Sequence, residues 1–319
     1  MGAHTGARPY VSQEGVKKIK MKKAHKSGKK NNENLMGFLF SLPCIIGFIC
    51  FSLLPMLISF ALSFTDYKIS MSPKFIGIDN YYNLFRGNSP YFYQSLKVTF
   101  LYVFISVPLA IAFSFVVALL LNQPIKGKAI FRTIFYMPSV LPLVAMSSIW
   151  VWIFNPDLGL ANSLLKQLGL PTSQWIYGSK SVLPTLIGLN LWNTGSTIVI
   201  FLAGLQDVPR QYLEAVEIDG GGVMARLRHV IIPLMTPTIF FNLVMGFING
   251  FQTFVQAYVM TYGGPDNKSL FYVYFLYREA FQFSRLGSAC AIAWVLFLII
   301  AVFTAILFRN SKKWVYYMG

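Results

Sequence analysis

Long apolar runs alternate with short polar breaks along this chain. Six runs reach bilayer-crossing length, at about 35–64, 95–121, 133–154, 181–205, 231–260 and 286–308. Pro43, Pro55, Pro138 and Pro142 fall inside them, which suits helices packed on one another better than isolated anchors. The pattern predicts an all-α polytopic membrane protein with a six-span domain over 35–310. Of the breaks, 65–94 is polar and aromatic, and Tyr81, Tyr82 and Phe85 suggest a helix lying at the interface. The break at 155–180 has room for one short helix, and 262–285 opens with Gly263-Gly264-Pro265 as a further loop.

The break at 206–229 has a pattern of its own. Asp207 and Pro209 suit an N-cap and an early helical position, with Tyr212, Leu213 and Val216 on one face. Gly220, Gly221 and Gly222 end that helix, since glycine accepts positive φ. Val223, Met224, Leu227, Val230 and Ile231 then form one stripe of a second helix, with Pro233 and Pro237 beyond. The expectation is a rigid two-helix knob at a membrane surface. Glu214, Glu217 and Asp219 lie in it, three of only 11 acidic residues. Anionic lipid would repel them, whereas a protein partner could use them.

Composition agrees with the pattern. Charged residues make up 12%, about half of what a soluble domain carries, and mean hydropathy is +0.56. The net charge of +16 is mostly topological. Residues 1–34 hold nine Lys/Arg and few apolar positions, a basic tail expected to be disordered on the cytoplasmic side. The predicted inner segments hold 18 Lys/Arg against eight in the longer outer segments, so both termini (the latter 311–319) and 206–229 are placed inside. Nucleic acid is not an expected partner. The run after residue 34 is too long for a signal peptide, and no internal repeat points to a secondary transporter.

The chemistry of an enzyme is missing from the sequence. There is no G-x-x-x-x-G-K-[ST], no paired carboxylates and no nucleophile elbow. Three scattered histidines and three cysteines (Cys44, Cys50, Cys290) in apolar runs suggest neither a metal site nor a disulfide framework; the cysteines are expected as small buried hydrophobes. What remains is polar residues at bilayer depth. Asn190, Trp192, Asn193, Thr194, Ser196 and Thr197 cluster in span four, and Asn242, Asn249, Gln252, Thr253 and Gln256 in span five. Amides there must pair or meet water, so they are expected either to join helices or to line a path. On continuous helices Asn190, Asn193 and Thr197 share one side, as do Asn249, Gln252 and Gln256. Amides and an aromatic face together suit sugar hydroxyls and C–H surfaces.

Residues 214–237 resemble the cytoplasmic EAA loop of permease subunits in binding-protein-dependent ABC importers. Glu214, Ala215, Asp219, Gly220 and Pro233 stand in register with that pattern, while Val216 and Gly221 replace alanines. FIGIDNYYNLF, TYGGPDN and EAFQFSRLGSACAIAW are similar to the carbohydrate-uptake branch, most like the first permease of the heterodimer, over most of 35–310. The resemblance implies a cytoplasmic coupling loop between spans four and five, with Glu214, Ala215, Asp219, Gly220, Met224, Leu227 and Pro233 serving the ATPase subunit. Arg226 or Arg228 is a candidate partner for Glu214. Sugar contacts are implied at Asn190, Asn193, Thr194, Thr197, Asn249, Gln252 and Thr253, and the polar clusters themselves add Trp192 and Gln256 as candidates. Partners implied are a second permease, two ATPase subunits carrying ATP and Mg, and an extracytoplasmic solute-binding protein. The implied place is the prokaryotic plasma membrane. The alternatives are an ion-driven secondary transporter, for which no carboxylate lies well inside a span, and a membrane-embedded sensor or interaction subunit.

Overall fold

A computed structural model of the chain describes residues 35–69, 71–124 and 126–316. The basic tail, 1–34, lies outside the described residues. Helix α1 (Leu35–Leu62) forms a unit by itself up to Ala61, and none of its residues is fully buried. One π turn, Ile49–Leu53, precedes Pro55, where the missing N–H would break the regular ladder. Cys44 and Cys50 lie exposed on this helix and Cys290 is half-buried, so the expected burial of all three is corrected.

The second unit, Leu62–Gly319, holds the remaining elements. These are α2 (Asp79–Phe85), α3 (Phe92–Asn122), α4 (Lys128–Val140), α5 (Leu143–Ile153), α6 (Leu160–Gln167), α7 (Val182–Trp192) and α8 (Gly195–Gln206). They continue with α9 (Arg210–Ile218), α10 (Val223–Phe251), α11 (255–261), α12 (272–282) and α13 (Leu286–Ser311). Among the described residues extended pairing is limited to two isolated bridges, Thr65 with Phe75 and Lys68 with Arg285.

Helices α1, α3, α10 and α13 are each long and apolar enough to cross a membrane, and two bent pairs bring the spans to six. The third and fourth predicted spans are therefore broken. Between α4 and α5 the chain bends by 100°, because Pro142 forces Leu141 into extended backbone (ψ 139°). Between α7 and α8 the bend is 45° and has no proline. There Gly195 lies so close to α4 that a Cβ would stand 2.5 Å from the Phe135 carbonyl oxygen. Span five also differs from expectation. It begins inside the knob at Val223 and ends at Phe251, nine residues short of 260.

α3 is the central helix of this unit, packed against α7, α8 and α10. Its contact with α10 depends on Gly246 and Gly250, a small-xxx-small pair. A Cβ at Gly246 would stand 2.8 Å from Val107 Cγ1, and one at Gly250 3.2 Å from Val103 Cγ2. Gly246→Val should therefore lower stability by about 1–3 kcal/mol, read as a drop in thermal midpoint in detergent. Gly47→Val, with nothing within 4 Å, is the control and should change little.

The predicted outer loop 262–285 is folded, not open. Phe271, Tyr272 and Phe275 on or beside α12 are fully buried against Phe92, Tyr102 and Ile292. The Tyr272 N–H donates to Thr99 Oγ1 (2.9 Å) and its hydroxyl to the Ile292 carbonyl (3.0 Å), so the buried polar groups are satisfied.

Glu279 on α12 is buried beside Arg285 at 3.8 Å. Burial pushes its carboxyl above the ordinary carboxylate range, and Arg285 and Arg278 pull it partly back. The folded state therefore holds this proton to a higher pH than the unfolded chain does. Stability from this group is full below the unfolded value, about 4.3, and is lost as pH rises through the folded value. Glu279→Gln should flatten that decline and leave the variant the more stable form at neutral pH. Thermal midpoints across pH 4–8 check it, and identical profiles would sink the assignment.

Candidate functional site

The α7–α8 break and the break between α10 and α11 meet around one cavity of about 320 Å³. The α7–α8 break places Asn193 and Thr194 there as the residues joining two helices, with Asn190 and Thr197 one turn to either side. The α10–α11 break supplies Asn249, Gln252, Thr253 and Gln256. Eight of the nine sequence-derived candidates thus line one wall or another. Trp192 does not: it turns its ring edge-on to Trp150, with centroids 5.2 Å apart. Asn242 lines the cavity too, and Ser196 does not.

The reason for the convergence differs from the expected one. Asn193 and Thr197 do not stack on a continuous helix; the chain kinks between them. Sequence reasoning also missed the wall made by α3, where Tyr102, Ser106 and Val107 face the cavity. Tyr102 and Ser106, one turn apart in an apolar run, were the available signal.

The lining carries no Asp, Glu, Lys, Arg or His among the described residues. Several donors are already used on local carbonyls: Asn242 Nδ2 on Thr238 (2.8 Å), Gln252 Nε2 on Ile248 (3.2 Å) and Thr194 Oγ1 on Leu191 (2.8 Å). Asn193 Oδ1 is buried and has no hydrogen-bond partner. A buried unpaired polar atom costs about 1–3 kcal/mol. The cavity therefore presents a spare acceptor, Asn193 Oδ1, in an uncharged wall.

A second surface lies at the end of α8. α9 closes on a Schellman turn, in which Gly221 N–H bonds the Val216 carbonyl (2.8 Å) and Gly220 N–H bonds Glu217 (3.0 Å). Gly220 has φ +77°. Gly221, the departure from the alanine pattern, is demanded by the turn: a Cβ there would stand 2.5 Å from Val216 Cγ1 and 2.8 Å from Val216 O. Ile218, Val223 and Met224 are strongly exposed around it, while Leu227 is half-buried and Val230 buried. The apolar stripe thus has a bare tip and a packed base. Two expectations are corrected here. Asp207 closes α8 and Pro209 takes the N-cap position, because the turn between α8 and α9 is only three residues long. Arg226 pairs with Glu217, not Glu214, which forms no ion pair among the described residues. Glu214, Ala215 and Asp219 are exposed, and Pro233 lies half-buried in α10.

Residues 110–314 match the family described as the binding-protein-dependent transport system inner membrane component. The chain belongs to this family. It is an ABC-importer permease subunit, a membrane channel component and not an enzyme. It is 44% identical to the probable ABC transporter permease protein YesP of Bacillus subtilis, covering 92% of this chain and 95% of that one. With the arabinooligosaccharides transport system permease protein AraP of the same organism it shares 31% identity over 86% of this chain and 88% of the relative. The fold is also that of a chain in a bacterial alginate ABC transporter crystallised with an alginate pentasaccharide-bound periplasmic protein. The TM-score is 0.80 at 22% identity, over 89% of this permease and 96% of that chain.

Proposed function

We propose that this permease moves a sugar or oligosaccharide through the cavity between α3, the α7–α8 break and the α10–α11 break. The observation that carries the reading is the uncharged wall with unpartnered Asn193 Oδ1, which a sugar hydroxyl would satisfy. Helix breaks suit such a site, since freed backbone groups are tolerated where they line a cavity. The arabinooligosaccharide relative and the alginate transporter support the same class of cargo.

The partners follow from the family: a second permease, two ATPase subunits that bind ATP and Mg, and an extracytoplasmic solute-binding protein that delivers the sugar. This chain binds no nucleotide. Ile218, Val223 and Met224 form the knob's docking tip on an ATPase subunit, and the Schellman turn fixes its angle. Because α10 runs from Val223 to Phe251 as one helix with a π turn at Leu227–Ile231, a push on the tip travels along it to the cavity. Closure of the ATPase pair then alternates access to the sugar.

Reconstituted with its co-purifying subunits, the complex should take up labelled oligosaccharide only with ATP and binding protein present. Uptake driven by an ion gradient without ATP would overturn the reading. The knob belongs on the cytoplasmic side of a prokaryotic plasma membrane, with both termini. A cysteine at Arg210 should accordingly resist an impermeant maleimide applied to intact cells, and labelling from outside would reverse the orientation.

A further inference from the structure

At the end of the bundle that carries α9, a second cavity of about 230 Å³ opens between α4 and α8. Its walls are apolar, with Leu121 from the end of α3, Phe135 from α4, and Ile198 and Leu202 from α8. The register of these helices gathers its polar groups at the α9 end: Arg132 in the second turn of α4 and Gln206 at the last position of α8.

Arg132 is the anomaly. Its Nε is shut off from solvent and has no hydrogen-bond partner. No carboxylate pairs with its guanidinium among the described residues, and no ring stacks on it. Leaving such a donor unpaired beside an apolar trough is unfavourable unless something anionic completes it. A guanidinium with a buried, unpaired Nε at one end and a hydrocarbon-like trough beyond it is the negative image of an amphiphile with an anionic head.

We propose that this cavity holds one anionic phospholipid from the leaflet on the α9 side. The phosphate sits on Arg132 with Gln206 beside it, and part of an acyl chain lies along Phe135, Ile198 and Leu202. Exposed Lys126 and the nearby Lys128, on the same connector, add attraction for an anionic leaflet. The trough has room for a stretch of acyl chain but not for a whole helix, which is about 10 Å across. The site is separate from the sugar cavity, with which it shares no lining residue.

The complex purified from its own membrane is placed in nanodiscs of phosphatidylcholine with a trace of phosphatidylglycerol, and retained lipid is counted by native mass spectrometry. Wild type should keep one phosphatidylglycerol. Arg132→Gln should retain it about tenfold less, the loss of one charge-assisted contact, while Arg132→Lys keeps an intermediate amount. Ala203→Phe, which fills the trough and leaves Arg132 in place, should also lose the lipid. It serves equally if the Arg132 variants fail to assemble. Unchanged retention in both Arg132→Gln and Ala203→Phe would overturn the site. Displacement of the lipid by millimolar inorganic phosphate would also overturn it, since that marks a free-anion site. So would near-complete cross-linking of a cysteine at Val199 to a second permease, since a protein would then cover the cavity.

Discussion

Asn193→Leu should make the complex more stable and the transporter at least several-fold slower. Leucine keeps the γ-branched shape of asparagine and is somewhat larger, so the substitution removes a buried acceptor without opening a void. Asn193 Oδ1 has no partner in the folded chain, so losing it relieves a desolvation penalty of about 1–3 kcal/mol. A sugar in the cavity loses one acceptor in the same step. At about 0.5–1.5 kcal/mol net per hydrogen bond, affinity falls roughly twofold to tenfold, and the added apolar bulk lowers it further. If the amide instead tied helices together, the signs would invert for stability and transport per complex would hold. Thermal midpoint and uptake per assembled complex, measured on one preparation, separate the two cases. Loss of stability with normal uptake would remove Asn193 from the path.

Gly220→Val should leave insertion intact and uncouple ATP hydrolysis from uptake. A Cβ at Gly220 meets nothing within 4 Å, so the cost is conformational and not a clash. Valine at φ +77° is held in a region that costs about 1–3 kcal/mol, more for a β-branched residue than for most. The chain escapes that cost by opening the Schellman turn, which frees the Val216 and Glu217 carbonyls and swings α9 away from α10. Ile218 on one side of the turn and Val223 and Met224 on the other then no longer form one apolar tip. Gly220→Asn, a residue that tolerates the left-handed region, should restore much of the coupling. Sugar-stimulated ATPase activity and uptake, compared across the two variants, check this. Full coupling in Gly220→Val would refute the role of the turn.

The two predictions draw on different kinds of information. Gly220 was legible as a turn because three glycines after a helical stripe have few other uses, and the Schellman bonds are local. Asn193 was legible only as a polar residue that needed an explanation. Its place in a helix break, and its unpaired oxygen, depend on the approach of α4 from far along the chain.

By itself the sequence determined the membrane class, the glycine turn that ends α9 and a candidate list of which eight of nine residues line one cavity. Those features depend on chain-local quantities: the length of an apolar run, the conformational range of glycine, and the cost of an amide at bilayer depth. Only the tertiary structure decided that spans three and four are broken, that α10 continues from the knob, that 262–285 is folded into the core, and that α3 supplies a third wall. It also decided that Trp192 packs on Trp150 and that Arg226 pairs with Glu217 and not with Glu214. The bend at Pro142 is local, but the other packing features are contacts between segments distant in sequence or a choice among neighbouring partners. Hydropathy sees neither, because packing against Gly195, Gly246 and Gly250 depends on which backbone arrives there.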